Sequence, residues 1–116
     1  MNYEIRISNI LKDLGVAANV RGYHYLKYAI KLVADDITYI QGITKKLYPA
    51  VAKHFGTTAP RAERAIRHAI ETGWLRGNEE TVAKLFGYTV SASRGKPTNG
   101  EFIGTVADYF MMTQED

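Results

Sequence analysis

The chain has no cysteine among its 116 residues. That excludes a disulfide framework, a thiolate zinc site and a cysteine nucleophile, and it fits a reducing compartment. Histidine is scarce as well: His24, His54 and His68 are scattered, no HExxH pair occurs, and the glycines form no phosphate-cradling loop. The expectation is therefore a protein that is not an enzyme and needs no cofactor and no metal. No apolar run approaches the length of a membrane span. Glu4, Arg6, Lys12 and Asp13 interrupt the stretch from Met1 to Leu14, which removes the apolar block of a signal peptide. A cytoplasmic, nucleoid-associated location without membrane contact is expected.

What is present describes an ordinary folded protein. Apolar residues make up 46% of the chain and charged residues 23%, and the length suits one domain over residues 1–116 with a single core. The net charge of +3 is unevenly placed. From Ile43 to Arg76 there are seven Lys or Arg against two acids, whereas the remainder carries eight against ten. A local basic surplus is what a phosphate-binding face requires, because each neutralised phosphate releases condensed counterions.

Apolar spacing predicts an all-α, six-helix globular domain. Ile7, Ile10, Leu11 and Leu14 mark a first helix from Tyr3 to Leu14, with Gly15 as its cap. Tyr25, Leu26, Ala29, Ile30 and Val33 mark a second from Gly22 to about Ile37, with its end near Asp35 and Asp36 open: Ile37, Tyr39 and Ile40 either continue it or fold into a separate turn. Because Pro49 cannot sit deep in a helix, a turn is expected through Thr44 to Tyr48 and a helix from Pro49 to Phe55. The next helix runs from Ala59 to about Thr72, with Thr58 as N-cap, Pro60 in the first turn and Gly73 fraying its end. Asn78, ahead of Glu79 and Glu80, starts a helix that Gly87 stops. After an irregular stretch from Tyr88 to Pro97, Thr98 and Glu101 make a capping box for a last helix with Phe102, Ile103, Val106 and Tyr109 or Phe110 inward.

Function is concentrated between Pro49 and Glu71. A helix ending at Phe55, a left-handed turn at Gly56 and a second helix are the parts of a helix-turn-helix, whose second helix enters the DNA major groove. Small Ala52 lets the two helices approach. Ala62, Ala65, Ile66, Ala69 and Ile70 form the buried stripe of that second helix, leaving Pro60, Arg61, Glu63, Arg64, Arg67, His68 and Glu71 outward. Arg can bridge guanine O6 and N7, and Glu can accept from cytosine N4. The bland alternative is a Glu63–Arg67 ion pair on a solvated face. The eight tyrosines and Trp74 read as core rather than as a base-stacking platform.

These residues also carry a resemblance. Ile43-Thr-Lys-Lys-Leu-Tyr-Pro, Thr57-Thr-Ala-Pro-Arg-Ala-Glu-Arg-Ala-Ile-Arg-His-Ala-Ile-Glu, Leu85-Phe-Gly-Tyr-Thr-Val, Lys96-Pro-Thr-Asn and Gly22-Tyr-His-Tyr-Leu resemble the C-terminal effector domains of the stage zero sporulation protein A family of response regulators. The resemblance implies double-stranded DNA as partner, a TGTCGAA-like box, and base contacts from Glu63, Arg64 and Arg67. It implies backbone contacts from His68 and Arg61; Thr58 and Lys53 complete the expected DNA-binding set. It further implies an RNA polymerase sigma factor as partner, touched at positions matching Gly77, Thr81, Phe86 and Val90, of which Phe86 and Val90 read as core on pattern. A homodimer on DNA is a further expected partner.

The chain departs from the family at Pro60, where Ser is usual, and at Gly73. Its tail from Met111 to Asp116 is acidic where the family tends to be basic. No receiver domain precedes Met1, so the expectation is a cut-out domain or a gene without the phosphorylation switch. The competing reading is an interaction protein that modulates a full-length regulator or polymerase without reading DNA.

Overall fold

The computed structural model describes residues 3–87 and 95–113. Among them are seven α-helices and no strand: α1 Tyr3–Asp13, α2 Arg21–Asp35, α3 Thr38–Gln41, α4 Tyr48–Phe55, α5 Ala59–Trp74, α6 Glu79–Phe86 and α7 Asn99–Met112. A π-helical turn, Ile43–Leu47, leads into α4.

The stripes legible in the sequence are the buried ones. Ile7 and Leu11 of α1, Leu26, Ala29, Ile30 and Val33 of α2, Ile66 and Ile70 of α5, and Phe102, Ile103, Val106 and Phe110 of α7 meet in one core. Helix α2 is central and packs against α1, α4, α5 and α7, as its two-sided burial requires.

Helix ends follow local chemistry. The Thr58 hydroxyl accepts from the Arg61 amide at 3.3 Å and the Asn78 carboxamide oxygen accepts from the Thr81 amide at 3.1 Å. At α7 the Glu101 amide donates to the Thr98 hydroxyl at 3.1 Å while the Glu101 carboxylate accepts from the Thr98 amide at 2.8 Å. All four are side-chain oxygens answering N-terminal amides that lack a helical partner.

Two boundaries differ from expectation, and a third that the sequence left open is decided. The segment through Thr44 to Tyr48 is not a free turn. It is a wide helical turn in which the Leu47 amide donates to Gly42 O at 3.1 Å and the Tyr48 amide to Ile43 O. Pro49 then enters in the first turn of α4, where its missing N–H costs no bond. The second helix, whose end was open, stops at Asp35: the Asp36 carboxylate takes the Thr38 amide at 3.0 Å and starts the one-turn α3, the separate-turn alternative, which makes seven α-helices rather than six. Helix α5 runs to Trp74, with Gly73 buried inside it rather than fraying its end.

Candidate nucleic-acid interface

Helices α4 and α5 form the helix-turn-helix. Gly56 closes α4 at φ 69°, ψ 38°, the left-handed conformation that glycine adopts without a Cβ penalty. The Thr57 amide donates back to Ala52 O at 2.9 Å, and Ala52 is buried between the helices. Two residues later Thr58 caps α5. The chain thus reverses over three residues, Gly56 to Thr58.

On α5 the expected division of faces holds. Ala62, Ile66, Ala69 and Ile70 are buried, whereas Pro60, Arg61, Arg64, Arg67, His68 and Glu71 are exposed. Ala65 and Glu63 are intermediate. Arg67 Nη1 lies 3.2 Å from the Glu63 carboxylate, so the bland ion pair does form; the Arg67 side chain nonetheless keeps 51% of its accessible surface. Neither Arg64 nor Arg67 is covered by the rest of the molecule. Lys53 is exposed in the last turn of α4, and Thr58 is exposed while its hydroxyl caps the helix.

The two flanks of α5 differ electrostatically. On one side a cleft of about 630 Å³ holds Glu63, Arg67, Glu71 and Lys96. Its charges are paired: besides Glu63 with Arg67, the Lys96 ammonium donates to Glu71 at 2.9 Å and holds that carboxyl below its usual range. On the other side a groove of about 380 Å³ holds Arg21, Arg61, Arg64 and His68 with no carboxylate in its lining.

Beneath the paired side, the Asn99 amide donates to the Tyr48 hydroxyl at 3.0 Å and to the Glu63 carbonyl at 3.2 Å. Burial raises the Tyr48 phenol above its ordinary pKa. Arg21, Lys96 and Asn99 were not singled out as site residues by sequence reasoning. Asn99 had a faint signal, a polar residue directly after the cap of an apolar helix; Arg21 lies forty positions before Arg61 and had none.

The positions matched to a sigma-factor contact lie around α6. Gly77 approaches the Leu14 carbonyl so closely that a Cβ would stand 3.1 Å from its oxygen. The Thr81 amide and hydroxyl both serve the Asn78 cap. Phe86 is 2% exposed, edge-on to Trp74 at 5.1 Å and 5.5 Å from Phe102. Its side chain is therefore core and presents no contact surface of its own, because burying an aromatic ring stabilises the fold far more than leaving it exposed. Trp74 is accordingly a packing residue too. Val90 lies outside the described residues, as does most of the irregular stretch before Pro97.

Among the described residues no helix is long and apolar enough to cross a membrane, and no three His, Asp or Glu gather as metal ligands. Compared with known families, residues 7–110 match the model described as sporulation initiation factor Spo0A C terminal.

Proposed function

From the premise that this chain belongs to the Spo0A C-terminal family, and so is a DNA-binding transcription regulator domain rather than an enzyme, we propose that α5 reads the major groove of a TGTCGAA-like box. Arg64 and Arg67 donate to base edges, Glu63 accepts, and Arg61, His68, Lys53 and the first turn at Thr58 meet the backbone. The observation that carries this reading is the exposed Arg64–Arg67 edge on a helix whose opposite face buries Ala62, Ile66, Ala69 and Ile70.

The Glu63–Arg67 pair supports specificity as much as it supports the bland reading. It leaves the Arg67 guanidinium half exposed, and in DNA that group exchanges one acceptor for another. The reading extends to one domain over residues 1–116, acting in the cytoplasm at the nucleoid, with a second copy bound on the same DNA. The exposed edge of α6 and Leu75, 93% exposed at the end of α5, support a sigma-factor contact beside Gly77 and Thr81.

The test is a mobility-shift comparison of the box with scrambled duplex. Arg67→Ala should abolish the preference and leave helicity by circular dichroism intact, since each bidentate base contact is worth roughly 1–3 kcal/mol of discrimination. A wild-type chain that binds both duplexes equally would defeat the reading.

A further inference from the structure

Gly22 brings the start of α2 against the middle of α5. A Cβ built there would stand 2.1 Å from the Ala65 carbonyl oxygen and 2.8 Å from Ala69 Cβ, so only glycine permits this crossing. Its neighbour Arg21, the exposed first residue of α2, is thereby carried to the flank of α5. There it lines the same cavity as Arg61, Arg64 and His68. A second opening, of about 490 Å³, shares Arg21, Tyr25, Thr57 and Arg61 with the first and adds His24. The two openings thus adjoin at those four residues.

Neither opening has a carboxylate in its lining. Among the described residues no ion pair joins Arg21, Arg61 or Arg64 to an acid. Guanidinium groups gathered along one groove repel one another unless an anion stands between them. The planar fork of arginine matches a phosphate diester in particular. The opposite flank of α5 is already neutralised by Glu63 and Glu71, so the uncompensated charge lies on the α2 side alone.

We propose that Arg21, with Arg61, forms a phosphate-binding groove for the DNA strand that borders α5 on its α2 side. This deepens the reading of α5 as the DNA-facing helix and rests on it. A residue on the neighbouring helix meets the strand beside the groove rather than the base edges inside it, so Arg21 contributes affinity and positioning and not sequence preference.

The experiment is equilibrium binding by fluorescence anisotropy over a range of salt, on the TGTCGAA-like duplex and on scrambled duplex. It uses the full chain as wild type, Arg21→Ala, Arg21→Lys and Arg64→Ala, with circular dichroism as the check on folding. Arg21→Ala should weaken binding to both duplexes in equal measure, roughly three- to tenfold, and reduce the slope of log affinity against log salt by about 0.9. Arg21→Lys should restore the slope, because counterion release counts charge.

An Arg21→Ala chain with wild-type affinity and slope, alongside an Arg64→Ala chain that has lost box preference, overturns the groove and leaves the α5 reading standing. Loss of box preference in Arg21→Ala with an unchanged slope overturns the phosphate assignment. Failure of the wild type to bind either duplex overturns both.

Discussion

Asn99 and Tyr48 are joined by a buried hydrogen bond of 3.0 Å, and the same Asn99 amide reaches the Glu63 backbone carbonyl at 3.2 Å. One side chain of α7 therefore ties the first turn of α4 to the second turn of α5, the two helices whose relative placement sets the exposed Arg64–Arg67 edge proposed to meet DNA. Asn99 is the single buried polar residue among those described.

Replacing Asn99 by Ala strands the Tyr48 hydroxyl in a buried site. Urea denaturation should show a loss of about 1–3 kcal/mol, the cost of an unsatisfied buried polar group. Asn99→Ala together with Tyr48→Phe should lose less than the sum of the two single changes, since the second removes the stranded group. Strict additivity would mean the bond contributes nothing specific.

Gly73 and Gly104 both sit inside helices, yet the same substitution should act in opposite directions. A Cβ on Gly73 would stand 2.7 Å from the Gly15 carbonyl oxygen and 2.8 Å from its carbon, with backbone on both sides. A Cβ on Gly104 would meet only Ile40 side-chain atoms, at 3.6 and 3.7 Å. Gly104→Ala should stabilise by up to about 1 kcal/mol through helix propensity. Gly73→Ala should destabilise by about 1–3 kcal/mol through overpacking. Thermal melts of both variants decide it, and a stabilised Gly73→Ala would show that the Gly15–Val16 backbone does not approach α5 as closely as described.

Glu71 and Lys96 should impose a small acid dependence. The ammonium hydrogen bond lowers the Glu71 pKa in the folded chain, so the unfolded chain binds a proton first as pH falls. The bridge's contribution is thus complete above the ordinary glutamate pKa and is lost as pH drops through the folded value. The pair is exposed, so the effect is small and weakens with salt. NMR titration of the Glu71 carboxyl should give a midpoint below the ordinary value, and Lys96→Ala should return it; an unmoved midpoint in Lys96→Ala would assign the shift elsewhere.

Much of the candidate site's layout was legible in the linear chain. The outward set on α5 followed from the spacing of Ala62, Ile66, Ala69 and Ile70, and the reversal between α4 and α5 followed from Gly56 and Thr58. The turn expected before Pro49 became a wide helical turn because its amides could bond five residues back, an option that proline rules do not register. Gly73 looked like a weak helix end because propensity speaks against glycine; its use, closeness to Gly15, involves a residue 58 positions away.

Periodicity and capping are decided within three or four residues, and the amino-acid order alone settled them: an all-helical chain, its caps at Thr58, Asn78 and Thr98, and which α5 side chains face solvent. Only the folded arrangement decided that Arg21 shares a groove with Arg61 and that Asn99 bonds Tyr48. Those depend on where helices cross, and a crossing is a property of two complementary surfaces rather than of either segment.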